Sequence, residues 1–216
     1  KKKYNADIMV DHLLNHIQTA VKSALAQVLK SHKTLLAKTY GRNVAHLEKA
    51  LEKDFLRITY DEAVKLLKTN GYPKISFGDD LKAEHEQKIV TILTNKKTGV
   101  PLPVFITHYP KEIKFFNMKV SEKDPRVVHS ADLILPIAGE AVGSAVREHD
   151  ADKLRKRLLT SNMFRLHKER GGKYEDFIWY VEDIIATGKT QPHAGFGLGN
   201  ERVMQYILGL EDIRMA

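Results

Sequence analysis

The first part of the chain carries its apolar residues at helical spacing. Val10, Leu13, Leu14, Ile17, Val21, Ala24, Leu25 and Val28 form one stripe within Ile8 to Leu36. Such a stripe predicts one long amphipathic helix whose apolar side is core or interface rather than chemistry. A second helix is expected over Val44 to Lys53. Thr59 followed three residues later by Glu62 is a capping-box pattern. It predicts a short helix through Ala63, Val64, Leu66 and Leu67 that stops at Asn70-Gly71-Tyr72-Pro73. Glu84 to Leu93 reads as another helix, ended by Asn95-Lys96-Lys97-Thr98-Gly99.

After Gly99 the pattern changes. Pro103 to Tyr109 is β-branched and aromatic, which predicts a strand. Phe115 to Val120 is expected to be a second strand, and Asp132 to Leu135 and Glu140 to Arg147 two more. Asp152 to Lys168 and Phe177 to Ala186 read as helices. Ala194 to Leu198 reads as a strand leading into a helix from Glu201 to Leu208. Helices first and then clustered strands favour an α+β fold with an antiparallel sheet flanked by helices, over alternating βαβ units.

Composition narrows the classes. The chain has 216 residues and no cysteine, so disulfides and thiolate metal sites are excluded. That absence fits a reducing compartment. No apolar run approaches the ~20 residues that a membrane span needs. The start, Lys1-Lys2-Lys3-Tyr4, is basic, but no apolar stretch of a signal peptide follows it. The net charge of +8 favours a polyanionic partner such as nucleic acid or nucleotide. The ten histidines show no H-E-x-x-H spacing.

Three segments carry candidate chemistry. In Gly195-Phe196-Gly197-Leu198-Gly199-Asn200-Glu201-Arg202, three alternate glycines meet a strand-to-helix junction. Glycines let the backbone approach a flat or charged ligand. The helix start offers free N–H groups to an anion, and Arg202 adds a permanent forked charge. The spacing is not the dinucleotide fingerprint G-x-G-x-x-G. Nucleotide binding at Gly195, Gly197, Gly199 and Arg202 stands beside the alternative of a tight strand–helix packing contact. In the second segment, Asp132 and Glu140 are candidates for a paired-carboxylate Mg²⁺ site, against the alternative of exposed strand charges. Glu140 and Arg147 are an odd number of residues apart, so a regular strand would send them to opposite faces; a bulge near Gly143 would reset this. The third segment, Phe77-Gly78-Asp79-Asp80-Leu81-Lys82-Ala83-Glu84-His85-Glu86, reads by itself as a polar loop entering a helix.

Together these segments resemble class II aminoacyl-tRNA synthetases. Gly195 to Arg202 is similar to their motif 3, G-x-G-x-G-x-E-R. Asp132 to Pro136 and Gly139 to Glu148 resemble D-x-L-x-P and G-E-x-x-G-G-S-x-R-E of the aspartyl and asparaginyl branch, with Ser144 and Ala145 where glycine and serine are usual. The third segment resembles W-G-x-D-L-x-x-E-H-E-R, with Phe77 in place of tryptophan, and His85 points to the asparaginyl side of the branch. Thr107 to Met118 resembles T-x-Y-P-K-E-x-K-x-F-Y-M. The resemblance implies ATP held by Arg202 and the glycines, with Phe116 a candidate against the adenine. It implies Mg²⁺–ATP at Asp132 and Glu140, with Arg202 and Glu140 the catalytic pair, and the amino acid, asparagine or aspartate, at Arg147. It further implies tRNA as acceptor, a homodimer for the intact enzyme and a cytoplasmic location.

Motifs 1 and 2 of the class and an anticodon-binding domain are not found. Residues 1–216 are therefore expected to be the C-terminal part of a catalytic domain, inactive in amino-acid activation as an isolated segment. A synthetase-like enzyme making asparagine from aspartate and ammonia, an aspartyl-tRNA synthetase and a non-catalytic binding module are the alternatives.

Overall fold

The computed structural model describes residues 5–187 and 190–216; the basic start Lys1-Lys2-Lys3-Tyr4 lies outside them. In chain order it comprises α1 (Ala6–Thr39), α2 (Val44–Glu52), β1 (Leu56–Thr59), α3 (Tyr60–Lys68), α4 (Ala83–Leu93), β2 (Val104–Thr107), β3 (Ser130–Leu135), β4 (Gly139–Val146), α5 (Ala151–Thr160), α6 (Asn162–Glu169), α7 (Ile178–Tyr180), β5 (Ala194–Leu198) and α8 (Asn200–Leu208).

The expected apolar stripe is the buried side of α1, from Val10 through Leu36. Asn5 caps it, its side chain accepting from the N–H groups of Asp7 and Ile8. The Thr59–Glu62 capping box opens α3, with both reciprocal bonds made.

Among the described residues the strands form one sheet in the order β1-β2-β3-β4-β5. The pairs β2–β3, β3–β4 and β4–β5 are antiparallel, as expected. β1 instead runs parallel to β2, so the sheet is mixed. Its short Leu56–Thr59 stretch gives no alternation long enough to separate it from the helix start it feeds. Phe115 to Val120 is not a ladder strand. It is a turn-rich crossing that touches the sheet through isolated bridges, Met118 to Arg147 and Val120 to Val128. The helix expected over Asp152 to Lys168 is two. Ser161 is extended, ends α5 and caps α6 by accepting from the Phe164 N–H. Phe177 to Ala186 is helical only in part, as the single turn α7 and a wide turn over Val181–Ile185.

Successive residues of a strand face opposite sides, and here the two sides pack against different layers. Phe105, Ala131, Leu133, Leu135, Val142 and Val146 join the buried sides of α1, α2 and α8. Val104, Ile106 and Ile134 face the other way, onto Ala63, Val64 and Leu67 of α3 and Ile89, Val90 and Leu93 of α4. A third cluster of Phe116, Leu154, Leu158, Phe164, Val181 and Ile185 holds the α5–α7 region together.

Candidate active site

The α3/α4 side of the sheet is apolar at β1 and β2 and becomes polar at β3. Asp132 pairs with Gly143, and Ile134 pairs with Glu140. The β3–β4 register shifts between Leu133 and Ile134, because Leu133 pairs with Val142 and leaves Ala141 as the extra residue. The bulge thus falls at Ala141 rather than Gly143. It puts Asp132, Glu140, Gly143 and Arg147 on one face despite the odd spacing. A Cβ added at Gly143 would sit 3.2 Å from the Glu140 carboxylate and 3.9 Å from that of Asp132, which places both acids over this glycine.

On β5, Gly197 pairs with Gly143 and Gly195 with Ala145. Both β5 glycines therefore lie on the same face, and a Cβ at either would meet nothing within 4 Å. The floor beside the acids is backbone, open to a flat ligand. Gly199 is the N-cap of α8 and supplies no capping side chain. Its N–H donates to the Ala141 carbonyl at 2.9 Å, tying the helix start to the bulge. Arg202, in the first turn, donates to the Ala138 carbonyl at 2.7 Å and to Gln205 at 3.4 Å. Its charge is close enough to lower the pKa of Glu86 and Glu140.

Two further groups complete the set, and neither was among the residues expected to act. Glu86, on α4, is buried, and its carboxylate accepts from the Glu140 N–H at 3.0 Å. Gly139 opposite has φ +76, a conformation that favours glycine, and a Cβ there would come within 2.9 Å of the Glu86 Oε2 and displace that carboxylate. Lys114 Nζ donates to Asp132 Oδ2 at 2.5 Å and lies 4.0 Å from the centre of the Tyr109 ring. Glu86 and Lys114 belong to the G-x-D-L-x-x-E-H-E and T-x-Y-P-K-E-x-K segments, and their neighbouring motif residues were the signal that could have found them.

Loss of hydration pushes all three carboxyls above their ordinary range, although Glu140 keeps an exposed side; repulsion adds to it, from Glu140 and Asp132 at Glu86, from Asp132 and Asp80 at Glu140, and from Asp80 at Asp132. Glu86 rises to about 7, and Asp132 and Glu140 rise as well, Lys114 pulling both of the latter back. A set of acids that holds more negative charge than Lys114 and Arg202 offset fits a hard divalent cation with oxygen ligands. Asp132 and Glu140, with Glu86 behind them, are the residues that would hold Mg²⁺.

The other expected residues divide. Arg147 is half-buried at the end of β4 and donates to Asn117 Oδ1 at 2.9 Å. Phe116, expected against adenine, is 3% exposed and packs edge-on against Phe177 and Tyr180; its neighbour Phe115 is the exposed ring. The ring of Phe116 is therefore taken up by the third core cluster. Ser144 is buried on the opposite face, its hydroxyl donating to the Ala131 carbonyl at 2.6 Å. His85 is structural here, its Nδ1 accepting from the Lys82 N–H at 3.2 Å and its ring edge-on to Tyr72. Beside Lys114 and Asp80 lies a cleft of about 1050 Å³ toward α5 and α6, with Lys111, Lys156, Arg157 and Arg170 in its lining.

Comparison with known proteins gives the family of the chain. The family model of class II tRNA synthetases (D, K and N) matches residues 4–216. An asparagine–tRNA ligase of Clostridium botulinum is 39% identical over 171 residues, 78% of this chain and 33% of the relative. That of Bacillus cytotoxicus is 40% identical over 172 residues, with the same coverage of 78% and 33%. The asparaginyl-tRNA synthetase of Pyrococcus horikoshii, solved with asparaginyl-adenylate, superposes with a TM-score of 0.80 at 32% identity, over 97% of this chain and 44% of that one. The chain thus spans about a third of the length of these curated relatives. With motif, face and fold in agreement, the chain belongs to the class II tRNA synthetases of the aspartyl, lysyl and asparaginyl group.

Proposed function

We propose that the chain is the motif 3 part of an asparagine–tRNA ligase catalytic domain and binds Mg²⁺–ATP and asparagine on the β3–β5 face. The observation that carries this is the convergence of Glu86, Asp132 and Glu140 beside an open glycine floor, with Arg202 and Arg147 on the same side. Asparagine is preferred to aspartate because the curated relatives are asparagine–tRNA ligases. tRNA as acceptor, a homodimer for the intact enzyme and a cytoplasmic location are proposed with it. The basic charge and the lysine- and arginine-lined cleft support a polyanionic partner.

In the activation step a carboxylate oxygen of asparagine attacks the α-phosphorus of ATP. The acyl–phosphate bond forms, the α–β phosphoanhydride bond breaks, and pyrophosphate leaves. In transfer, a ribose hydroxyl of tRNA attacks the acyl carbon, and AMP leaves. Catalysis in such a reaction is largely positioning and charge neutralisation. Mg²⁺ would supply positive charge to the phosphate oxygens. Arg202, fixed by the Ala138 carbonyl, presents its remaining N–H groups to the nucleotide. Gly195 and Gly197 leave room for its flat base, and Arg147, steadied by Asn117, holds the polar end of the amino acid.

Calorimetry with Mg²⁺–ATP and with a non-hydrolysable asparaginyl-adenylate analogue tests this. Binding of the asparaginyl analogue in preference to the aspartyl one is expected, with at least tenfold weaker nucleotide binding in Arg202→Ala. Equal affinity of Arg202→Ala and the parent chain, or preference for the aspartyl analogue, would overturn the respective part of the reading.

A further inference from the structure

At the end of the sheet where β2 leaves and β3 enters, three residues distant in sequence meet. His108 follows β2 directly, His129 precedes β3 directly, and Asp7 stands in the first turn of α1. One ligand atom from each lies within 4.8 Å of the other two. No residue of this cluster takes part in the nucleotide site described above. We propose that Asp7, His108 and His129 form a binding site for one divalent transition-metal ion of the zinc class.

The strongest observation is His129. It is 3% exposed, and its Nδ1 has no hydrogen-bond partner. An unpartnered buried nitrogen is costly and calls for an explanation such as an ion. The nitrogen is 3.4 Å from Asp7 Oδ1. Two ligands of a tetrahedral zinc, each at its usual bond length, are about 3.4 Å apart. The His129 backbone is tied on both sides, its N–H donating to the Lys119 carbonyl at 2.8 Å and its carbonyl accepting from the Val146 N–H at 2.9 Å. The ring is thereby held on a rigid frame.

His108 presents the correct nitrogen. The Thr107 hydroxyl donates to the Ile58 carbonyl at 3.3 Å, so its oxygen is left to accept. His108 Nδ1, 3.0 Å from that oxygen, therefore carries the proton and donates. This fixes the tautomer that leaves a lone pair on Nε2, and Nε2 is the atom 4.0 Å from Asp7 Oδ1. A ligating histidine whose other nitrogen is bonded to a neighbouring oxygen is the usual arrangement in metal sites. His108 also holds a left-handed backbone, φ +57, which is uncommon for a residue with a side chain and clusters at functional positions. Burial lowers both imidazoles below their ordinary range.

Asp7 contributes Oδ1, while its Oδ2 accepts from Lys123 Nζ at 2.6 Å. Lys123 is largely exposed, and its charge acts on His108 as well as on Asp7, while Lys119 acts on His129; the two ammonium groups are the cations that an ion here must face. Asp7 and His108 are each about a third exposed, which leaves the fourth position of a tetrahedral ion to water. Two imidazoles and one carboxylate select zinc, nickel or cobalt over magnesium or calcium. The ion would clamp the N-terminal turn of α1 to the sheet.

The test is titration of the chain, freed of any affinity tag and stripped with a chelator, with Zn²⁺ by calorimetry and with Co²⁺ by visible absorption. One equivalent is expected, with a ligand-field spectrum of a low-coordinate site. Asp7→Asn, His108→Ala and His129→Ala should each weaken binding at least tenfold. Lys123→Gln should strengthen it severalfold. His12→Ala/His16→Ala serves as the control, since these two lie one turn apart on the exposed side of α1 and could chelate metal on their own. Zinc-edge anomalous scattering from crystals of the parent chain locates the ion even if a variant fails to fold. Absence of stoichiometric binding, binding that survives in His108→Ala and His129→Ala, loss of binding in the His12/His16 control, or an anomalous peak elsewhere would overturn the proposal.

Discussion

The two faces of one sheet do opposite work. β3 shows this in five successive residues: Ala131, Leu133 and Leu135 enter the dry cluster with α1, α2 and α8, while Asp132 and Ile134 look toward α3 and α4. The first face is closed by packing. The second is apolar only as far as Val104, Ile106 and Ile134, and then gives way to acids, glycines and arginines. The difference teaches how a catalytic surface is kept in place. The larger apolar cluster lies on the face that carries no chemistry, and the other face, with its own apolar half against α3 and α4, can hold crowded carboxylates whose loss of hydration is unfavourable.

The sharpest way to break this division is Leu133→Ala. Leu133 is fully buried in the dry face, and truncation leaves a cavity. A loss of about 2–5 kcal/mol is expected, read as a lower urea midpoint at unchanged slope. Nucleotide affinity of the folded fraction should not change. A loss well below this range would mean that the dry face is not closed by packing.

The next effect belongs to the polar face and has a pH signature. Glu86 is raised from its ordinary value of 4.5 to about 7, chiefly by burial. Its folded pKa is above the unfolded one, so its contribution is fully present below about pH 4.5 and is lost as pH rises through 7. Across that window the loss is on the order of 3 kcal/mol. Glu86→Gln, which can still accept from the Glu140 N–H, should flatten this slope and raise stability at pH 8. Urea midpoints from pH 5 to 8 check it, and parallel profiles for the two proteins would show that Glu86 is not the group responsible.

Asp132→Asn probes the ion pair on the same face. Asp132 is buried against Lys114 at 2.5 Å, so removing its charge leaves the mostly buried ammonium without its counter-charge, at a cost on the order of 3 kcal/mol. Mg²⁺–ATP affinity should fall about tenfold, or about 1.4 kcal/mol. Retained affinity with Asp132→Asn would remove this residue from the cation site.

How far the sequence made this legible follows from range of interaction. The α1 stripe, the Thr59–Glu62 box and the β2, β4 and β5 stretches depend on neighbours within a few residues, and all are present. Motif 3 was readable because strand, glycines and Arg202 are contiguous. What stayed hidden depends on distant partners. β1 becomes a strand only because β2 lies beside it. The bulge falls at Ala141, where pairing with Leu133 and Ile134 decides it, and not at the glycine that local sequence favours. Glu86 meets Glu140 across more than fifty residues, and Phe116 is claimed by helices that follow it. The Asp7–His108–His129 cluster has no local spacing at all.

The smallest expected change in stability gives the most selective test of the polar face. Gly197 lies opposite Gly143 on the open floor, and a Cβ there meets nothing within 4 Å. Its backbone has no left-handed φ, so Gly197→Ala is tolerated by the fold and, by restricting the unfolded chain, is worth about 0.4–1 kcal/mol in favour of the native state. The added methyl nevertheless stands where a flat base would rest. Nucleotide affinity should fall severalfold while the urea midpoint holds or rises. The opposite signs matter, because a glycine kept only for strand–helix packing would lose stability on this change and leave binding alone. Calorimetry and urea unfolding on the same sample therefore decide whether the glycines of β5 are a ligand floor or a packing contact.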